Sequence, residues 1–231
     1  MTSPSFERLP SVSLRGRIAE TLREAILNGS LTEGQRLVER NLAAQLGASL
    51  TAVREALIEL EMDGFIQKRR NASTFVTKLS IEDTVKIFAV RSVLEKYAAE
   101  QAARLAGPEQ IAHLEAIYSE METAARAHDG KLLVLKDYSW HQALWQISEN
   151  DYLQAMLRRL VVPVFAFTTM RVINRQDFEP LRDAQAHLPI LEAIKAHDPA
   201  TAGEALVTAL AEWADLIRSY VFGANEVASA G

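Results

Sequence analysis

Strand-like patterning in this chain ends near residue 80, and everything beyond reads as helix. Segments 81–105, 109–127, 131–147, 152–173, 177–196 and 201–222 each repeat apolar residues at three- and four-residue spacing. Breaks fall at Gly107-Pro108, Asp129-Gly130, Glu149-Asn150-Asp151, near Asn174 and at Asp198-Pro199. A helix with one apolar stripe must bury it against a neighbour. Six such helices on short links therefore imply an antiparallel bundle. Pro163 and Pro189 fall inside or near the starts of two of them and predict kinks. Trp140, Trp145, Phe165 and Phe167 sit at helical spacing and read as core.

The first third is organised differently. Residues 1–12 show no period and read as a flexible arm. From Ser13, a helix cap, Leu14, Ile18, Leu22, Ala25 and Ile26 form one stripe that stops at Asn28-Gly29. Two further amphipathic runs meet at Gly47-Ala48-Ser49, where Ser49 caps the second. In that helix Val53, Ala56, Leu57 and Leu60 face inward, and Thr51, Arg54 and Ile58 face outward. FIQKRRNASTFVTK then reads as a hairpin with a basic turn. Three helices followed by a hairpin is the order of a winged helix-turn-helix. The fold class is thus mainly α, an N-terminal winged helix-turn-helix plus a C-terminal antiparallel all-helical bundle. The expected divisions are an arm at 1–12, the winged unit at 13–79, a linker at 80–84, the bundle at 85–222 and a tail at 223–231.

Charge separates the two parts. The net charge is −5. Residues 1–79 hold 11 Lys/Arg against 9 Asp/Glu, and residues 80–231 hold 14 against 21. Only the first part suits a polyanion. There is no cysteine, hence no disulfide framework, and no apolar run long enough to span a bilayer. These features, with no apolar signal core in MTSPSFERLP, predict a soluble cytoplasmic protein.

The B-DNA major groove admits one helix, and a helix held across a tight turn presents its N-terminal polar residues to base edges. Here Ser49, Leu50, Thr51 and Arg54 occupy that edge. Arg40 opens the preceding helix, and Arg69, Arg70 and Asn71 form the wing tip. A guanidinium can fork onto a guanine or a phosphate. The stretch GQRLVERNLAAQLGASLTAVREALIELEMDGFI resembles the DNA-binding domain of the GntR family of bacterial transcription regulators, with Glu39-Arg40, Leu42-Ala43, Leu46-Gly47, Val53-Arg54-Glu55-Ala56-Leu57, Leu60 and Gly64 in place. The resemblance implies DNA contacts by Arg40 and Arg54. The family's usual third arginine is Leu50 here, which can touch only a thymine methyl, so the operator is expected to differ.

The helical part carries KDYSWHQALWQISENDYL, in which Asp137 and His141 share a helical face. His187 follows in AHLPILEAIKAHD. A carboxylate and imidazoles converging inside a bundle suit a borderline divalent cation, although the same spacing also describes a simple helix contact. D-x-x-x-H followed by A-L-x-x-x-S-x-N-x-x-L, with H-x-x-I-x-x-AI-x-x-x-D further on, is similar to the FCD effector domain of the FadR subfamily. That resemblance implies a metal of the zinc or nickel type held by one Asp and three His, gripping a small carboxylate effector. Asp137, His141 and His187 match three ligand positions; the fourth falls at Ala209. Trp213, one turn on, could fill the vacated space. Arg91 matches an arginine able to pair with an effector carboxylate, or else forms a surface i,i+4 pair with Glu95. Arg171 and Arg175 are further effector candidates.

The expectation is a ligand-responsive regulator, a repressor in sign, that binds double-stranded operator DNA as a homodimer and senses a small carboxylic acid, with no membrane role. Two rivals remain open. One is a metal-dependent enzyme built on the bundle, against which no general base, nucleophile elbow or phosphate loop stands near the ligands. The other is a DNA-binding dimer without an effector.

Overall fold

The computed structural model describes residues 14–27, 29–69, 73–166 and 175–219. The chain divides between Thr77 and Lys78 into two compact units.

The first unit runs α1 (Leu14–Leu27), β1 (Arg36–Leu37), α2 (Glu39–Leu46), α3 (Leu50–Met62), β2 (Ile66–Arg69) and β3 (Ser73–Val76). Ile18, Leu22 and Ile26 of α1 are buried, as are Val53, Ala56, Leu57 and Leu60 of α3, so the predicted stripes are the packed ones. β1 joins the hairpin as a third strand, giving the antiparallel order β1-β3-β2. Arg36 lies opposite Phe75, and Lys68 opposite Thr74. α2 ends at Gly47, whose φ of 60° is left-handed. A Cβ there would meet nothing within 4 Å, so backbone handedness alone favours glycine. Ser49 Oγ then accepts from Ala52 N at 3.1 Å and starts α3.

The second unit runs α4 (Ile81–Leu105), α5 (Pro108–Arg126), α6 (Gly130–Ile147), α7 (Asp151–Val164), α8 (Pro180–Gln185), α9 (Leu188–Lys195) and α10 (Pro199–Ile217). Apart from the break near Asn174, which lies outside the described residues, the breaks marked in the bundle are caps. Ser80 and Asp83 form a reciprocal box on α4, and Asp129, Asn150 and Asp198 each accept from the first turn of the helix that follows.

Several expectations need correction or fall outside the description, among them the arm at 1–12, the Ser13 cap and the tail at 223–231. Segment 177–196 is two helices, α8 and α9, separated by a turn at Ala186-His187. Pro189 does not kink a helix; it sits in the first turn of α9, where its missing N–H has no partner to lose. Pro163 lies one residue before the end of α7. Residues 167–174, with Phe167 and Arg171, lie outside the described residues.

α10 packs along α4 through small side chains. Ala98, Ala99, Ala102 and Ala103 of α4 are buried, and so are Ala202, Gly203 and Leu206 of α10. A Cβ on Gly203 would stand 3.0 Å from Glu100 Cγ and 3.1 Å from Lys96 Cγ, so α10 lies close against the stems of these two side chains. The core continues through Leu114 and Met121 of α5, Trp140 and Leu144 of α6, Leu157 of α7 and Ile190 of α9. Among the described residues no helix is long and apolar enough to cross a membrane.

Candidate functional site

In the winged unit, α3 turns a polar edge outward. Leu50 is 39% exposed, and Thr51 and Arg54 are exposed. Ser49 spends its oxygen on the cap. Arg54 Nε lies 2.6 Å from Glu39 Oε2 on α2, an exposed pair worth little to stability but able to hold the guanidinium upright. Arg40 is exposed on α2. Arg36, Arg40, Leu50, Arg54 and Ser73 line one open groove of about 400 Å³. Arg36 was not singled out in the sequence. The available signal was strand alternation, since β1 buries Leu37 and therefore exposes its neighbour. Lys68 is paired with Glu61 at 3.0 Å. Arg69 belongs to β2, but its side chain, with Arg70 and Asn71, lies outside the described residues.

The second site is buried between α4, α6 and the turn before α9. Asp137, His141 and His187 are all buried, and each offers a ligand atom within 4.8 Å of the others. His187 Nε2 lies 3.1 Å from Asp137 Oδ1, and His141 Nε2 lies 3.5 Å from the same oxygen. Two ligands each about 2.1 Å from a tetrahedral ion stand roughly 3.4 Å apart, so these separations are those of neighbours on one coordination sphere. His187 Nδ1 lies 3.2 Å from the Ala184 carbonyl, which can only accept. In a neutral ring the Nε2 lone pair therefore faces a carboxylate oxygen. Two acceptors that close require a proton or a cation between them, and Asp137 Oδ1 has no aligned hydrogen-bond donor. The donor set fits a divalent cation.

Arg91 and Glu95, one turn apart on α4, complete the wall. The sequence allowed a surface pair; the structure buries both, at 1% and 0% exposure, with Arg91 Nε bonded to Glu95 Oε1. Glu95 Oε2 lies 2.7 Å from His141 Nδ1, although the ring N–H is not aligned for a straight hydrogen bond. That contact leaves His141 Nε2 facing Asp137 and Arg91 Nη2, the latter at 3.5 Å. Burial alone would raise the Glu95 pKa, but Arg91 and His141 pull it down to about 2. Burial likewise opposes charge on Asp137 and His187; their mutual attraction overcomes it, lowering the acid and raising the imidazole. Arg91 Nη1 is buried with no hydrogen-bond partner. Trp140 packs its ring edge-on against His187 at 4.8 Å, and Phe165 packs against His141 at 5.9 Å, so these core aromatics also wall the site.

A cavity of about 40 Å³ opens among Arg91, Asp137, His141, His187, Asp183 and Ala209. A second, of about 150 Å³, adjoins it, with Asp183, Ala186, Ala209 and Trp213 bordering both. Ala209, at the position where the resemblance implied a histidine, borders both cavities together with Trp213. Asp183 is half-buried; close packing and the Asp137 carboxylate push its pKa up to about 7, against the pull of His187. Arg175 is exposed and bonded to Asp177 at 2.9 Å, on the surface. In this site the sequence offered Glu95 only as a surface partner of Arg91 and did not single out Asp183.

A winged unit with an arginine-bearing recognition helix, joined to a helical unit, defines a transcriptional regulator rather than an enzyme. Residues 14–76 match the family model "Bacterial regulatory proteins, gntR family", and residues 86–212 match the FCD domain. The chain belongs to the GntR family and carries an FCD domain. It is 30% identical over 87% of both chains to the "Probable D-xylose utilization operon transcriptional repressor" of Paenarthrobacter nicotinovorans. It is 27% identical to the gluconate operon transcriptional repressor of Bacillus subtilis, over 83% of this chain and 80% of that one. In fold it is similar to McbR/YncC of E. coli, with a TM-score of 0.75 at 23% identity over 90% of this chain and 98% of that chain. A regulator from Rhodococcus sp. RHA1 gives a TM-score of 0.69 at 23% identity over 88% and 96%.

Proposed function

We propose that this regulator is a repressor which binds a two-fold operator as a homodimer and is released by a small carboxylic acid bound in the helical unit. A dimer is expected because two-fold operators require two recognition helices related by the same symmetry. Arg40 and Arg54 read or clamp the duplex through their guanidinium forks, with Thr51 and Leu50 at the base edge, Ser49 beside them and Arg69, Arg70 and Asn71 on the wing. Asp137, His141 and His187 hold a divalent cation of the zinc or nickel type, which when bound supplies a positive centre for an acid. Glu95 and the Ala184 carbonyl fix the two imidazoles. Arg91 offers the free Nη1 to the effector carboxylate, since a buried donor left unpaired costs about 1–3 kcal/mol that an incoming acid relieves. The observation that carries the ligand reading is the buried convergence of Asp137, His141 and His187, whose ligand atoms lie within 4.8 Å of one another, with His187 Nε2 3.1 Å from Asp137 Oδ1. Arg171 is a further candidate for the effector.

An effector shifts a regulator only by binding its two states unequally. α4 carries Arg91 and Glu95 and begins three residues beyond the unit boundary, so it is the element placed to pass that difference on.

The test uses the full chain stripped with a chelator. Zinc or nickel at saturation is expected to raise the unfolding midpoint, and a subset of small mono- and dicarboxylic acids to raise it further. The same acids are expected to weaken binding to the promoter of the protein's own gene. A metal and acid response equal in His187→Ala and wild type would refute the site, and promoter binding indifferent to sequence and salt would refute operator reading.

A further inference from the structure

The spacing D-x-x-x-H occurs twice in this chain. Asp137 and His141 share one face of α6; Asp183 lies on α8, and His187 follows at the end of the helical turn after it. Four-residue spacing aligns Asp137 and His141 on one face of α6, while Asp183 and His187, parted by the turn at Ala186-His187, border one cavity. His187 Nε2 already meets Asp137 Oδ1 at 3.1 Å, so the second pair approaches the first across the cavity. Asp183 borders that cavity together with Arg91, Asp137, His141 and His187. From α10, Ala209 borders it too and offers only a methyl group. Two carboxylates facing one small cavity repel, and a divalent cation between them removes the repulsion.

We propose that Asp183 is the fourth protein ligand of the cation, so that two D-x-x-x-H pairs close on one ion and Asp183 does the work of the histidine missing at 209. The inference rests on the metal reading above. The Asp183 oxygens are not among the atoms lying within 4.8 Å of one another, so the carboxylate enters the sphere as the ion draws it inward. α8 has six residues and ends at the turn that carries His187, so the shift is carried by a short element. Asp183 also borders the adjoining cavity, which ties the shape of the outer space to occupation of the inner one. The chemistry of the set follows. Two carboxylates and two imidazoles cancel the charge of a divalent ion and are richer in oxygen than one carboxylate with three imidazoles. Oxygen-richer ligation favours manganese relative to zinc.

The experiment measures affinity for Mn(II), by electron paramagnetic resonance, and for Zn(II), by competition with a chromophoric chelator, on the stripped full chain. The variants are Asp183→Asn, Asp183→Ser, His187→Ala and the double variant Asp183→Asn/Ala209→His. Circular dichroism checks that each is folded, and the serine variant stands in should the asparagine one fail. Removing Asp183 is expected to weaken Mn(II) binding by at least the roughly 10–100-fold that loss of an outer-shell partner costs, and Zn(II) binding by less. Restoring a histidine at 209 is expected to recover Zn(II) and not Mn(II). Wild-type affinity for both ions in the Asp183 variants, with loss in His187→Ala, overturns Asp183 as a ligand and leaves the metal site standing. Wild-type protein that binds neither ion more tightly than His187→Ala overturns both.

Discussion

Replacing Glu95 by glutamine keeps the shape of the side chain and removes its charge, leaving the buried Arg91 guanidinium without the carboxylate it is bonded to. Both groups are almost wholly inaccessible, so water cannot compensate. The Glu95 carboxyl is lowered from 4.5 to about 2 in the fold. At about 1.4 kcal/mol per unit that depression corresponds to about 3 kcal/mol. Removing one member of a buried ion pair costs about 3–5 kcal/mol in general, so the two routes agree. Glu95→Gln is therefore expected to lower stability by about 3 kcal/mol at pH 7, which for a unit of this size is roughly 6–12 °C in midpoint. Trp140, Trp145 and Trp213 are the three tryptophans of the chain and all lie in the helical unit, so intrinsic fluorescence during urea unfolding of chelator-treated protein reports that unit alone. The double variant Arg91→Met/Glu95→Leu should recover most of the loss, because an apolar pair carries no desolvation cost. A depressed acid stabilises the fold above its unfolded pKa and ceases to do so as pH falls through the folded value. The gap between wild type and Glu95→Gln should thus be full above pH 4.5 and close toward pH 2. A gap under about 1 kcal/mol at pH 7, or one that does not narrow on acidification, would refute the reasoning.

Arg54→Ala should weaken operator binding by about 1–3 kcal/mol, read by fluorescence anisotropy, while the tryptophan-detected unfolding of the helical unit stays unchanged. Ser49→Ala removes the acceptor of the Ala52 N–H and should cost the winged unit about 1 kcal/mol, visible as faster amide exchange in the first turn of α3. Gly203→Ala sets a methyl 3.0 Å from the Glu100 side chain, which must give by a few tenths of an ångström, while alanine gains about 1 kcal/mol over glycine inside a helix, so the helical unit should stay within about 1 kcal/mol of wild type in the fluorescence assay.

The winged unit was legible because its signals are local. Ser49, Gly47 and the α3 stripe of Val53, Ala56, Leu57 and Leu60 each act within a few residues, and the structure uses each as the spacing implies. The Asp137, His141 and His187 cluster was legible through a motif, and the structure brings the three together. Glu95 was not, because an Arg–Glu pair at i,i+4 looks the same in water and in a core. What buries it is α4 meeting α6 and α10, a long-range fact. Asp183 escaped for another reason. Reading 177–196 as one helix hid the turn at Ala186-His187, and with it the second D-x-x-x-H pair. The structure breaks the helix there, just ahead of the proline that the sequence marked as a kink.

The glycine contact between α4 and α10 has a mechanical consequence. Helices that meet through Ala98, Ala99, Ala102 and Ala103 on one side and Ala202 and Gly203 on the other, with the stems of Lys96 and Glu100 lying over the glycine, are closely packed and resist sliding past one another. They behave as a single stiff beam, carrying Arg91 and Glu95 on one rail and Ala209 and Trp213 on the other. A ligand entering the cavity that Arg91 and Ala209 border is therefore expected to move the two helices together rather than apart. The beam's leading end is Ser80, the cap of α4, three residues past Thr77, where the unit that carries the helix-turn-helix ends.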